Sequence, residues 1–323
     1  MNYTKQIKRI SLALVLLISL TSCSNDDDNT ATVQEQTITE IAIGNESFST
    51  LVAALQIAGL AETLNGEGPF TVFAPTDAAF NAFLTANGFN QLSDVPTDVL
   101  TQILLNHVIS GELMSGDLST SYGNTLATTA SGENLSIYIN TSNGVRLNNV
   151  SSVSQADINA SNGVIHIVDA VIGLPTVVDF ALADPTFETL VAALTRNDLT
   201  FDYVTTLSTP NGTSPAPFTV FAPTNDAFGD LLNELGASGL SDISEPVLKA
   251  TLDHHAIAGA NVQSSSLTDN MIVETLGGNI TINVTGGATI TDANNRISNI
   301  IAVDVQALNG VIHAIDKVIL PPL

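Results

Sequence analysis

The side chains best suited to chemistry are the five histidines and four of the aspartates, and all but His254 recur at matching places in the two halves of the chain. Imidazoles and carboxylates serve as metal ligands and as general acids or bases. These residues are His107, His166, His254, His255, His313, Asp157, Asp169, Asp304 and Asp316.

The sequence around these residues matches no reactive motif. It contains no Gly-x-Ser-x-Gly, no His-Glu-x-x-His and no phosphate-binding glycine-rich loop. A zinc site needs three or four ligands, whereas each half of the chain offers two or three histidines with no cysteine beside them. We therefore predict a protein that is not an enzyme and that holds no metal and no cofactor. A hydrolase of surface polymers stays open as an alternative, because an unfamiliar active site leaves no short motif.

Two of the histidines lie on apolar faces of predicted helices. Residues 100–107 place His107 on one helical face with three apolar side chains, and His255 occupies the matching place in the second half. We expect both imidazoles to be hydrogen-bonded inside the core. Asp169 and Asp316 are expected to orient the strands and turns around them.

The chain contains an internal repeat. Residues 70–80 recur 148 positions later at 218–228, and the Asn-Gly-Val-Ile-His motif at 162–166 recurs 147 positions later at 309–313. Landmarks that keep one spacing over most of a domain indicate a duplicated domain.

Within one copy, helices are predicted early and most strands late. Apolar residues at 48, 51, 52 and 55 fit one face of an amphipathic helix, with Ser47 placed to cap it. Residues 70–73 fit a strand, after which Thr76 and Asp77 can cap a second helix. This order predicts an α+β fold with a largely antiparallel sheet.

The second copy is longer than the first. Residues 48–55 recur at 187–194 with an offset of 139, so nine extra residues precede the strand that begins at 218. We place this insertion in the loop 208–215, which is rich in serine, threonine and proline.

The N-terminus reads as an export signal. A basic start is followed by the apolar run 10–20, which is too short to span a bilayer, so we predict a signal peptide at 1–22. The run ends at Cys23, the only cysteine of the chain, in a context that resembles the bacterial lipobox and implies lipidation of this residue. A secretory signal with an incidental cysteine is the alternative.

An acidic, flexible tether is predicted at 23–36. Its three aspartates at 26–28 resemble the signal that sends lipoproteins of Bacteroidetes-type bacteria to the outer face of the outer membrane, whereas a plain solvated spacer is the alternative. We therefore expect an outer-membrane lipoprotein that faces the cell exterior, with a periplasmic orientation left open.

Composition excludes one class of partner. The chain has a net charge of −24, and its eight basic residues form no patch outside the leader. Nucleic acid is therefore an unsuitable partner, because its binding requires a basic surface. The apolar content of 44% is that of a folded protein.

The repeated segments resemble a known family. Phe-Thr-Val-Phe-Ala-Pro-Thr and Asn-Gly-Val-Ile-His are similar to the two signatures of fasciclin (FAS1) domains, and both occur twice in the same order. The resemblance covers 37–174 and 176–322. It implies two tandem domains, each a wedge-shaped β-sandwich flanked by helices, used in adhesion and in contacts with extracellular matrix.

The resemblance also points to interaction residues. The family carries a Tyr-His pair between its signatures, and an Asp-Ile pair acts as a receptor contact in some members. The matching pairs here are Asn106-His107, His254-His255, Asp157-Ile158 and Asp304-Val305. The histidine of the Tyr-His pair is kept in both copies, and the tyrosine is replaced by Asn106 in the first and by His254 in the second.

Three functions follow from these observations. The leading hypothesis is an adhesion protein, anchored in the membrane through lipid on Cys23, that binds a surface glycan, a matrix polymer or a protein through its tandem domains. A carrier of small apolar ligands, lipid or pigment, held between helices and sheet is the second. The hydrolase is the third.

Overall fold

A computed structural model describes residues 35–322. The predicted signal peptide, Cys23 and nearly all of the tether lie outside the described residues. Within 35–322, no helix is both long enough and apolar enough to cross a membrane.

The first copy has five α-helices and seven strands within the described residues. The helices are α1 (Ile38–Gly44), α2 (Ser49–Ile57), α3 (Ala61–Asn65), α4 (Asp77–Ala86) and α5 (Thr97–Leu105), with single 3₁₀ turns at Glu46–Phe48 and Leu92–Asp94. The strands are β1 (Phe70–Pro75), β2 (Val108–Ser110), β3 (Ser121–Thr128), β4 (Asn134–Asn140), β5 (Arg146–Leu147), β6 (Ser151–Ala160) and β7 (Gly163–Val168).

The second copy repeats this order of elements. Its helices are α6 (Val177–Ala183), α7 (Glu188–Leu194), α8 (Tyr203–Leu207), α9 (Asn225–Leu235) and α10 (Glu245–Asp253), with 3₁₀ turns at Pro185–Phe187, Leu240–Asp242 and Ser264–Ser266. Its strands are β8 (Phe218–Pro223), β9 (Ala256–Ala258), β10 (Met271–Thr275), β11 (Gly278–Asn283), β12 (Thr289–Thr291), β13 (Ile297–Ala307) and β14 (Gly310–Ile315).

The sheets are largely antiparallel, as predicted. Among the named strands of 35–322, the two parallel pairs are β1 with β7 and β8 with β14, which join the two signature motifs of each copy. In the first copy, hydrogen bonds link neighbouring strands all the way round, so the two faces of the sandwich close into one barrel. In the second copy the strand order is β10-β11-β12-β13-β14-β8-β9. The predicted α+β fold of two tandem domains is confirmed.

Each copy has two buried layers. In the first copy, Phe48 and Phe80 lie in the layer between the helices and the sheet, whereas Phe73, Ile137 and Leu147 fill the inside of the barrel. The second copy has the same two layers. Helices cover one side of the sheet, and its other side faces the inside of the barrel. The surface left for contacts therefore lies at strand ends and bulges.

The N-terminal cap of α2 differs from the prediction. Ser47 lies inside the 3₁₀ turn and does not cap α2, so that expectation was wrong. The carboxylate of Asp77, at the start of α4, instead accepts hydrogen bonds from the Thr50 N–H (2.7 Å) and from the Ser49 hydroxyl (2.6 Å). A carboxylate at this end also interacts favourably with the helix dipole.

The second signature motif ties the helices to the sheet. The side-chain amide of Asn162 donates to the carbonyls of Leu64 (2.8 Å) and Gly66 (2.9 Å). The next residue, Gly163, has φ +146°, and a β-carbon there would clash with the backbone of Phe70. Only glycine fits such a close approach of two backbones.

The equivalent contacts show where the second copy is longer. Asn309 donates to the carbonyls of Leu207 (2.8 Å) and Thr209 (2.9 Å), so Leu207 corresponds to Leu64 with an offset of 143. The offset is 139 at α2 and α7 and 148 at β1 and β8. Four of the nine extra residues therefore lie between α7 and α8, and five follow α8. The prediction placed all nine extra residues in one insertion at 208–215, so it was wrong for the four residues that lie between α7 and α8.

The two copies share an interface. The ring of Tyr122 in the first copy lies 5.6 Å from that of Phe180 in the second, and its hydroxyl donates to the Asp184 carboxylate at 3.0 Å. On β4, the strand beside the one that carries Tyr122, the hydroxyl of Ser136 accepts a hydrogen bond from the N–H of Gln306 on β13 at 2.9 Å. Apolar and polar contacts therefore hold the copies together.

Candidate functional site: two bulged strands and a cavity

The histidine pairs predicted to contact a partner lie inside the domains. Asn106 and His254 have no exposed surface, and His107 and His255 are at most 4% exposed. Side chains at this depth cannot touch a macromolecular partner, so direct contact through them is corrected to a structural role. An effect on adhesion would act through the segments that they hold.

His107 and His255 join the end of a helix to the segment after the last strand. The Nδ1–H of His107 donates to the carbonyl of Ile103 (2.7 Å), and its Nε2 accepts from the N–H of Ile172 (2.9 Å). His255 makes the same contacts with Thr251 and Ile319. Burial lowers the pKa of both imidazoles to about 4, so both rings are neutral at pH 7.

The residue before each histidine differs between the copies. Asn106 donates to the carbonyl of Gly173 (2.9 Å) and accepts from the hydroxyl of Thr125 (3.1 Å). Neither ring nitrogen of His254 makes a hydrogen bond of ordinary geometry among the described residues, and the ring packs against Gly277. The asparagine therefore ties the first copy together more firmly than the histidine ties the second.

The predicted Asp-Ile and Asp-Val pairs lie on bulges of β6 and β13. The pairing of each strand shifts register twice, once before the aspartate and once across it, and Asp157 and Asp304 have φ +62° and +58°. The Asp157 carboxylate accepts from the N–H (2.7 Å) and the hydroxyl (2.6 Å) of Ser115, and Asp304 accepts from Ser264 in the same way. These hydrogen bonds lower the pKa of Asp157.

Each bulge is also supported from the interior by a histidine. The N–H of Asp157 donates to Nδ1 of His166 (3.2 Å), whose Nε2–H donates to the carbonyl of Leu113 (2.9 Å). The ring of His166 stacks on Phe73 with 5.5 Å between centroids. His313 supports Asp304 with the same contacts. The left-handed aspartate is thus fixed from both sides, as expected of a strained residue that persists in a fold.

The residues around these aspartates differ from the predicted pairs in exposure. Val305 is 5% exposed and packs in the core, and Ile158 is partly buried against the helix–sheet layer. The exposed apolar side chains come before the aspartate: Ile301 is 56% exposed and Val303 is 44% exposed. Direct contact through Val305 is therefore corrected to a core role.

Ile301 and Val303 were not predicted from the sequence. The signal was present, because residues 300–303 form an apolar run where the first copy has Val153 followed by polar and small residues at 154–156. An uninterrupted apolar run in a strand with alternating neighbours indicates apolar side chains on both faces. We name residues 153–157 the first bulge and residues 300–304 the second bulge.

Beyond the bulges, the second copy contains an apolar cavity of about 280 Å³ between α6, α7, α8 and the sheet. Of its fourteen lining residues, twelve are aliphatic and two are Thr195 and Tyr203. At the matching place in the first copy, the void is about 20 Å³. Protein interiors are close-packed, so a void of the larger size is uncommon.

The cavity lies beside the four residues inserted between α7 and α8. Leu55 and Val72 are 4% and 5% exposed in the first copy, whereas their counterparts Leu194 and Val220 are only partly buried and line the cavity. These two side chains are therefore less covered in the second copy, in which the connection between α7 and α8 is longer.

Because only the second copy has the cavity, we expect the same alanine-to-leucine substitution to have opposite effects on stability in the two copies. Ala222→Leu will raise the free energy of unfolding by about 1–2 kcal/mol, because its added carbons fill empty apolar space. Ala74→Leu at the matching position will lower it by about 1–3 kcal/mol, because the site is already packed. Urea denaturation of the two variants checks this, and an equal loss in both would contradict a preformed cavity.

The described residues contain no group of three or more histidine, cysteine, aspartate or glutamate side chains placed to hold a metal ion. His107, His166, His255 and His313 are each hydrogen-bonded through both ring nitrogens. The geometry is that of side chains that hold loops and strands in place.

Comparisons with known proteins give the same pattern of two copies. The sequence model of the fasciclin domain matches residues 46–175 and 185–321. The chain is 43% identical over 142 residues to "Protein sll1483" of Synechocystis sp., covering 44% of this chain and 76% of that protein.

A relative in animals and a solved structure also match. The chain is 30% identical over 261 residues to transforming growth factor-beta-induced protein ig-h3 of Sus scrofa, covering 80% of this chain but 35% of that protein. A FAS1 domain pair from the insect cell adhesion molecule fasciclin I matches with a TM-score of 0.50 and 21% identity, over 84% of this chain and 97% of that one.

Proposed function

Because the chain belongs to the fasciclin-domain family, we propose that it is a membrane-anchored interaction protein of the bacterial surface that binds a glycan, a matrix polymer or a protein. Fasciclin domains occur in cell-adhesion and extracellular-matrix proteins. The chain spans about a third of the length of ig-h3, so no partner of that protein is transferred here.

The second bulge is the observation that carries this proposal. It exposes Ile301 and Val303 on a backbone that Asp304 and His313 hold in place. Exposed apolar side chains on a preorganised backbone suit binding, because little conformational freedom is lost when a partner docks. The first bulge has the same backbone with Ser154 and Ala156 at the matching positions, so the two copies present different surfaces.

The anchor is proposed from the sequence. Lipidation of Cys23 would hold a strongly acidic protein at a membrane that otherwise repels it. Protease shaving of intact cells that express the full chain, beside a Cys23→Ala variant, tests both anchor and orientation. We expect the chain to be cleaved on intact cells and the variant to leave the membrane fraction. Protection of a membrane-bound chain would place it in the periplasm and exclude adhesion to other cells.

The role of the second bulge is tested by giving it the residues of the first. In the double variant Ile301→Ser, Val303→Ala, we expect cell attachment to fall to the level of cells lacking the protein. Both positions are exposed, so stability should change by less than about 0.5 kcal/mol. Ile272→Ser, at another isoleucine that is 69% exposed, is the matched control and should attach normally. Normal attachment by the folded double variant would contradict the assignment.

A second candidate function is a carrier of small apolar ligands, and the cavity beside α8 favours it. Its lining is almost entirely aliphatic, as in sites that bind apolar molecules. Solvent extraction of protein purified without detergent should release an apolar compound, identified by mass spectrometry. An empty extract from fully folded protein would contradict carriage.

A further inference from the structure

We propose that the cavity beside α8 is a binding site for one small, uncharged apolar molecule, of two fused rings or about ten carbons, and that the first copy lacks such a site. The proposal rests on the second candidate function above and specifies its ligand. It stands on the size, the lining, the charges and the mouth of the cavity.

Size limits the ligand. An apolar cavity of about 150 Å³ stays dry and takes up a benzene-sized molecule. The cavity here is about 280 Å³, which is close to twice that volume and suits a two-ring molecule. The matching void of about 20 Å³ in the first copy has no room for such a molecule. We therefore expect one ligand per chain.

Deep inside the cavity, the lining presents no hydrogen-bonding group to a ligand, which favours an apolar one. Tyr203 could have been the exception, but its hydroxyl lies 2.6 Å from the Asp253 carboxylate and 3.1 Å from the Lys249 carbonyl, both on α10. The Tyr203 hydroxyl is therefore already hydrogen-bonded to α10, and a polar group placed inside the cavity would be buried without a partner.

Charge excludes anionic ligands. Arg196 follows the lining residue Thr195, but its guanidinium is bound by Asp198 and by two backbone carbonyls. Lys249 is paired with Asp253 at 2.7 Å. Both cations on the surrounding elements are thus engaged, and the chain carries a net charge of −24. A carboxylate or sulfonate at the mouth would find repulsion rather than a counter-ion.

The mouth of the cavity is defined by residues that line it and also reach solvent. Leu182 on α6 is 55% exposed and Val204 on α8 is 38% exposed. An uncharged ligand can therefore enter between α6 and α8 without unfolding of the sheet.

The test uses two probes with one ring skeleton. Naphthalene is uncharged, and naphthalene-1-sulfonate adds one negative charge to the same two fused rings. Fluorescence titration of the full chain should show one site for the uncharged probe and binding at least tenfold weaker for the sulfonate. Equal affinities, or two sites per chain, would overturn the proposal.

Variants locate the probe. Ala222→Leu and Val220→Phe each fill the cavity and should weaken binding of the uncharged probe at least tenfold, and two variants are used in case one folds poorly. Ala192→Leu makes the same change as the first on the exposed side of α7 and should bind like the unmodified chain. Unchanged binding by both folded filling variants would overturn the site. An empty natural extract together with single-site probe binding contradicts carriage and supports the site.

Discussion

Lowering the pH from 7 to 4 will reduce the free energy of unfolding of the folded chain by about 6 kcal/mol, chiefly through His107 and His255. Burial lowers the pKa of both imidazoles to about 4, against about 6.5 in an unfolded chain. A difference of this size corresponds to about 3 kcal/mol for each group. The same cause lowers the pKa of His254 and His313, which adds to the effect.

The direction follows from which state binds protons. Between pH 6.5 and 4 the unfolded chain binds protons at these histidines and the folded chain does not, so stability falls as the pH falls. The stabilisation is fully present above pH 6.5 and is lost by pH 4. Asp157 and Asp269, whose pKa values hydrogen bonds lower, act in the same direction at the acid end.

Urea denaturation at half-unit intervals of pH measures this loss. Replacing His255 with glutamine removes one titrating group, so the slope of stability against pH should decrease by about 1.4 kcal/mol per pH unit in this window. The imidazole NMR signals of His107 should show no titration above pH 5.5. A ring that titrates near 6.5, or a flat stability profile, would contradict the assigned burial.

The sequence predicted the parts of the fold that depend on local or repeated patterns. The repeat, the strand β1 and the cap of α4 by Thr76 could be predicted because their signals lie within a few residues of one another. The capping of α2 by Asp77 could not be predicted, because Asp77 lies at the start of another helix, α4. Sequence patterns cannot tell which of several possible capping side chains will be near a helix end after folding.

The candidate sites were predictable to a smaller degree. The left-handed Asp157 and Asp304 were singled out, but their exposed neighbours were not, because a bulge reverses the alternation by which strand faces are assigned. The interior role of His107 was expected, although its partner Ile172 is 65 residues away. The cavity depends on where α8 packs after a four-residue insertion, and composition carries no signal for that.

Replacing Tyr122 with alanine will separate the unfolding of the two copies. Its hydroxyl stays protonated because burial raises its pKa, and it donates to Asp184, which is 7% exposed. The substitution removes the ring contact with Phe180 and the Tyr122 hydrogen bond to that carboxylate, which keeps Tyr138 of the first copy as a neighbour. We expect a loss of about 2–4 kcal/mol, concentrated at the interface.

Scanning calorimetry distinguishes this from a uniform loss of stability. The unmodified chain should unfold in one transition, and the alanine variant in two, because the copies then lose the ring contact and the hydrogen bond that Tyr122 makes across the interface. Tyr122→Phe keeps the ring and removes the hydroxyl, so it should lose about 1–3 kcal/mol and keep a single transition. A single transition at an unchanged midpoint in the alanine variant would contradict the coupling role of Tyr122. If the second bulge binds a partner as proposed, the coupled state also holds that partner at a fixed place relative to the first copy.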